Sequence, residues 1–114
     1  MTQERRKAVR MKPTPELPAR AVLAVEGPVQ EALTVFDVSV GGMALSLPGQ
    51  GGTATGRRMR LHVSLGGGHG EHEIDVEIRW ASPQVMGIAF VDLTPEATTA
   101  VRRYVAELLE RGNS

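Results

Sequence analysis

The sequence predicts an all-β domain with a terminal helix: about six short antiparallel strands, closed as a barrel or a small sandwich, then one helix. Three observations predict it. Apolar and polar residues alternate with period two through most of the chain, as in strands with one buried face. Glycine-rich reversals separate these runs, and sequential hairpins favour antiparallel pairing. The period changes once, after residue 93, to the spacing of a helix.

The elements follow in order. Residues 1–18 carry many charges, three prolines (Pro13, Pro15, Pro18) and no sustained apolar period, so they read as a flexible N-terminal arm. "RAVLAVE" (20–26) ends at Gly27-Pro28. "EALTVFDV" (31–38) reads as one strand that reverses through "SVGG" into "MALSL" (43–47), a hairpin. "PGQGGTATG" (48–56) is a flexible connection. In "RRMRLHVSL" (57–65), Met59, Leu61, Val63 and Leu65 share one face, and Arg58, Arg60, His62 and Ser64 share the other. "EHEIDVEIRW" (71–80) turns Ile74, Val76 and Ile78 inward and Glu73, Asp75 and Glu77 outward. Pairing these two runs sets a basic row beside an acidic one, at roughly 0.2–1 kcal/mol per cross-strand pair. "VMGIAFVDL" (85–93) is a sixth apolar run. Thr94 then suits a cap, Pro95 the first helical position and Glu96 the positive end of the helix dipole. Ala97, Val101, Tyr104, Val105 and Leu108 recur on one stripe of a helix over 95–111, with Gly112 as its stop. The chain thus divides into an arm (1–18), a β body (19–93) and a helix (94–112), all within one domain.

Composition narrows the function. Thirteen basic and thirteen acidic residues cancel, which argues against nucleic-acid binding through an overall positive field. Aromatics are few (Phe36, Trp80, Phe90, Tyr104), so stacking platforms for single strands are scarce. The absence of cysteine excludes disulfides and thiolate metal sites. No apolar run reaches the roughly 18 residues of a membrane span, and the basic start lacks a signal-peptide core, so a cytoplasmic protein without membrane contact is expected. No catalytic constellation stands out. Ser39 has no histidine near it in sequence, and the glycines at 66–68 precede a strand rather than a helix, so they form no phosphate cradle. His69 and His72 flank that glycine-rich turn and read as a solvated hairpin tip. A binding protein, not an enzyme, is expected.

One stretch, "VFDVSVGGMALSL" (35–47), breaks the strand rules. Asp37, Ser39 and the pair Gly41-Gly42 interrupt a good strand, and strand interiors disfavour Asp and Gly. By themselves Asp37 and Ser39 read best as a self-capping turn. Beside the arm they gain a second reading. Arg6 and Arg10 are four residues apart, and an arginine fork matches phosphate oxygens or a guanine edge. Asp37 can accept from the Watson–Crick N–H groups of guanine, Ser39 can donate or accept, and Gly42 leaves the backbone open to close approach. Together these residues suit an anionic purine nucleotide.

The two motifs, "RKAVR" and "DVSVGG", in this order and spacing resemble the PilZ domain, the bacterial receptor module for cyclic di-GMP. The family pattern is R-x-x-x-R in an N-terminal arm, then D/N-x-S-x-x-G, and the likeness covers nearly the whole chain. It implies a six-stranded antiparallel barrel over 19–93 with a C-terminal helix. It also implies that Arg6 and Arg10 bind the phosphates and guanine edges of cyclic di-GMP, that Asp37 and Ser39 hold a guanine, and that Gly41-Gly42 allow close approach. Arg5, directly before the first motif arginine, resembles family members that take two stacked cyclic di-GMP molecules, its plane stacking on the extra base. No cofactor is expected beyond this ligand. Ligand binding is expected to order the arm over the barrel and to alter the surface offered to an unidentified protein partner in trans. The alternatives are a PilZ-like adaptor acting by protein contact alone, which the intact arginines argue against, and an OB-like barrel binding nucleic acid, which the charge balance argues against.

Overall fold

The computed structural model describes residues 9–24, 30–48 and 54–112. Among them seven strands, β1 (Ala19–Ala24), β2 (Gln30–Leu33), β3 (Val35–Val38), β4 (Gly42–Ser46), β5 (Arg58–Leu65), β6 (Gly70–Ala81) and β7 (Val85–Val91), precede one helix, α1 (Pro95–Gly112). They form one antiparallel sheet in the order β2-β1-β5-β6-β7-β4-β3. Its two ends, β2 and β3, are consecutive in the chain with Thr34 alone between them, so the sheet curls into a nearly closed barrel.

This closure corrects the strand count from six to seven. The run 31–38, expected as one strand, changes neighbour at Thr34: β2 pairs with β1 and β3 with β4. Thr34 makes the transfer with its own backbone. Its N–H donates to the Ser46 hydroxyl at 2.9 Å and its carbonyl accepts from the Ser46 amide at 2.9 Å.

The alternation read from the sequence builds the core. Leu61, Val63, Leu65, Ile74, Val76 and Ile78 are buried, and α1 lays Ala97, Val101, Tyr104, Val105 and Leu108 against the barrel. Thr94 caps that helix, its hydroxyl accepting from the Ala97 amide at 3.0 Å. On the outer face the expected charge rows meet. Arg58 lies opposite Glu77 and Arg60 opposite Asp75, with Arg60 Nε 2.9 Å from Asp75 Oδ1. That hydrogen bond holds the Asp75 carboxyl below its usual range and raises the Arg60 guanidinium.

The β5–β6 turn is not a solvated tip. His69 Nε2 sits 2.7 Å from Glu107 Oε1, and its ring meets Tyr104 edge-on at 5.8 Å, so the turn docks on α1. His72 Nε2 contacts the His69 carbonyl at 2.9 Å. Hydrogen bonds from His69 and then Arg111 hold the Glu107 carboxyl below its usual range. The sequence could not show this docking, because residues 69 and 107 approach only when the helix packs. No helix among the described residues is long and apolar enough to cross a membrane.

Candidate functional site

Two local irregularities in the sheet shape the site. Val35 and Val38 are three residues apart, yet Val38 is fully buried and Val35 packs against the same core. Strict alternation would put them on opposite faces. A bulge lets both face inward, because Val35 pairs with Leu45 while Asp37 already pairs with Ala44. The bulge turns Phe36 outward, and Asp37 stays within reach of the surface.

The arm segment meets Asp37 there. Met11 and Val38 exchange both backbone hydrogen bonds at 2.9 Å, an isolated antiparallel bridge along the margin of β3. That bridge delivers Arg10, whose Nη1 lies 3.0 Å from Asp37 Oδ1 across 27 residues of sequence. Arg10 and Asp37, one from each sequence motif, are therefore in direct contact. Arg5 and Arg6 lie outside the described residues.

Ser39 and the glycines form the turn into β4. The Ser39 amide donates to the Gly42 carbonyl at 2.8 Å. The Ser39 hydroxyl accepts from the Gly41 amide at 3.2 Å and donates to the Gly42 carbonyl at 3.4 Å, and the residue is 4% exposed. Of the self-capping turn read from the sequence for Asp37 and Ser39, the Ser39 part is present with its hydroxyl engaged, whereas Asp37 stays in β3 and its carboxylate meets Arg10. Gly42 has a further reason to be glycine. A Cβ there would collide with the backbone carbonyl of Ile88 on β7, so the close approach it permits in this structure is that of the neighbouring strand. Gly41 is different: a Cβ would meet nothing within 4 Å.

Behind this turn lies an open cleft of about 300 Å³. Arg10, Ser39, Gly41 and Gly42 line one wall, and Arg79, Trp80 and Gly87 line the other with Ile88 and Ala89. Nothing in the sequence marks Arg79 and Trp80 as cleft residues, and the second irregularity explains why. The inward row Ile74, Val76, Ile78 extrapolates to an inward Trp80 at the next even position. The β6–β7 register slips between Ile78 and Trp80, which pairs with Gly87. Trp80 is thereby turned out, 43% exposed, against a glycine where a Cβ would strike the indole. Arg79 adds a second guanidinium, 3.6 Å from Glu77 and well exposed. The only signal in the sequence was the adjacency of a cation and the single tryptophan at the end of an alternating run.

The cleft thus offers two guanidinium groups, an exposed indole and bare backbone at Gly41, and the Asp37 carboxylate lies just beyond its lining, on Arg10. That set can hold an anion through the arginines and a planar group against the indole. Among the described residues no group of three or more His, Asp or Glu side chains could hold a metal ion. A larger hollow of about 440 Å³ lies between the β5–β6 turn and α1, lined by Gly68, His69, Glu96 and Arg103 among others. It contains no residue of either motif, and its charges are of both signs.

No curated protein matches the sequence. Solved structures do match in fold. The PilZ domain with c-di-GMP of YcgR from Escherichia coli is 17% identical with a TM-score of 0.73, over 95% of this chain and 94% of that one. The K. pneumonia MrkH–c-di-GMP complex is 13% identical with a TM-score of 0.77, over 94% of this chain and 53% of that one. The Bacillus subtilis inhibitor of motility MotI/DgrA is 20% identical with a TM-score of 0.66, over 95% of this chain and 51% of that one. This chain therefore spans nearly all of the isolated YcgR domain but about half the length of the other two. The PilZ domain family model matches residues 4–107, a range that holds both motifs and all of the helix but its last five residues, and the chain belongs to the PilZ family.

Proposed function

We propose that this chain is a cyclic di-GMP receptor module and that the nucleotide occupies the cleft between Arg10 and Trp80. The observation that carries the proposal is the contact of Arg10 with Asp37 at 3.0 Å, which joins the two motifs at the cleft mouth. Two solved relatives in fold, the YcgR domain and MrkH, carry c-di-GMP by name, which supports the same ligand class here. The chemistry agrees. A dianionic ligand needs local cations, which Arg10 and Arg79 supply, and a guanine needs a carboxylate acceptor for its N–H edge, which Asp37 supplies. In this structure Arg10 occupies that acceptor, so the nucleotide would exchange an exposed ion pair of small net worth for contacts to both partners.

Arg5 and Arg6 complete the cation set from the arm, Arg6 on phosphate or guanine edge and Arg5 stacked on a second nucleotide. Binding draws that part of the arm onto the cleft and changes the surface seen by a protein partner. Ser39 acts by holding the turn, and Gly41 by leaving room above it. The protein acts as a receptor and not as an enzyme.

Calorimetry with cyclic di-GMP on wild type, Arg10→Ala and Asp37→Ala tests this. Wild type is expected to bind, and each variant to lose about 5- to 150-fold in affinity, the range of one bidentate guanine contact. The stoichiometry distinguishes one nucleotide per chain from two. No heat with the wild type, or unchanged affinity in both variants, overturns the proposal.

A further inference from the structure

We infer that Tyr104, on α1, is a positioning residue for the nucleotide site, acting on Arg10 through the arm; the inference rests on the cyclic di-GMP reading for its effect on affinity but not for its structural effect. Tyr104 is fully buried, and its hydroxyl donates to the carbonyl of Leu17 at 2.6 Å, across 87 residues of sequence. Leu17 belongs by sequence to the arm, yet it is 1% exposed and part of the core.

A short, stiff path runs from that hydrogen bond to the site. Leu17 and Thr14 close a four-residue turn with reciprocal backbone bonds of 3.1 and 3.3 Å, and Pro15 occupies its second position. The Thr14 hydroxyl accepts from the Leu17 amide as well, at 3.1 Å. Only Lys12 and Pro13 separate this turn from Met11, which bridges Val38, and Pro13 has its own φ set by its ring. Arg10 comes next and meets Asp37. The far end of the path is equally held. The Leu17 side chain lies over Gly67, where a Cβ would collide with it, and the Pro18 carbonyl accepts from the Gly66 amide at 2.8 Å.

Tyr104 thus anchors the base of the segment that presents Arg10. Without its hydroxyl the Leu17 carbonyl keeps only the longer bond from the Thr14 amide, and the Thr14 end of the turn, toward Met11, can loosen while the Leu17 side chain stays in the core. Burial raises the tyrosine hydroxyl to about 12, so it remains a donor throughout the ordinary pH range.

The test is Tyr104→Phe, which keeps the ring and its packing. In ligand-free protein, hydrogen exchange at the Met11 and Val38 amides is expected to accelerate about three- to tenfold, the worth of one net hydrogen bond, while Val76 and Ile78 in β6 are unchanged. Unchanged exchange at Met11, or equal acceleration at Met11 and in β6, overturns the inference: the first leaves Tyr104 no hold on the arm, the second makes it a general core residue. Affinity for cyclic di-GMP gives the second readout. Tyr104→Phe is expected to weaken binding severalfold in the wild-type background and to have no further effect in Arg10→Ala, because both act through one contact. Equal losses in the two backgrounds overturn the inference. If wild type binds no cyclic di-GMP, the functional proposal fails while the exchange comparison still decides this one.

Discussion

Gly41 and Gly42 are adjacent in sequence and alike in composition, yet the fold gives them different duties, and paired alanine substitutions separate them. A Cβ at Gly41 meets nothing within 4 Å, and neither glycine is among the described residues with positive φ. Gly41→Ala therefore introduces no strain, and reduced freedom of the unfolded chain stabilises it by about 0.4–1 kcal/mol. A Cβ at Gly42 drives into the Ile88 carbonyl, and both residues are backbone members of the paired strands β4 and β7. No side-chain rotamer can relieve that collision. The strands must part locally, at the roughly 1–3 kcal/mol typical of overpacking. For a domain near this size each kcal/mol shifts Tm by about 4–8 °C, so Gly42→Ala should melt roughly 5–20 °C below wild type and Gly41→Ala at or slightly above it. Thermal unfolding followed by circular dichroism at neutral pH measures both. In a ligand titration the order reverses in meaning: Gly41→Ala, with a methyl group in the cleft wall, loses cyclic di-GMP affinity while keeping its Tm. A Gly42→Ala protein that melts with wild type, or a Gly41→Ala protein as unstable as Gly42→Ala, would refute the division of roles.

Three further outcomes follow from the structure. Trp80 is the one tryptophan of the chain and lines the cleft, so its fluorescence should change saturably with cyclic di-GMP. Gly87→Ala, which forces the indole off its seat, should give red-shifted emission and stronger acrylamide quenching before any ligand is added. The Glu107 carboxyl, held below its ordinary value near 4.5 by His69 and Arg111, stabilises the fold at pH above that value. The stabilisation is lost as pH falls through the lower folded-state value, because the unfolded chain takes up the proton first. Melting scans from pH 6 to 3 should therefore show a shallower acid-side decline for Glu107→Gln than for wild type, and parallel curves would refute the linkage.

The charge ladder of β5 and β6, the buried rows facing it and the capped helix after Thr94 were all legible because each depends on residues close in sequence. Period-two alternation assigns Arg60 and Asp75 to one face before any pairing is known, and a glycine-rich turn of defined length sets the register that joins them. The two motifs were legible for the same reason, as short fixed spacings. What failed was extrapolation through a slip in register. "EALTVFDV" has no residue that announces a change of neighbour at Thr34, because its partners, β1 and β4, come from either side of it in the chain. By sequence His69 reads as solvated and Leu17 as arm, since the contacts that bury them come from Tyr104 and Glu107 on α1.

The sequence by itself thus determined the β-then-helix architecture and the placement of the core, and it put forward the residue types of the proposed nucleotide site, all through local periodicity and spacing. The tertiary structure decided which of those residues meet. A bulge at Phe36 keeps Asp37 near the surface, a register slip at Arg79 turns Trp80 into the cleft wall, and the Met11–Val38 bridge sets Arg10 against Asp37. Register and bulge positions arise from packing whole strands against one another, a balance of many contacts distant in sequence, and no local pattern encodes that balance.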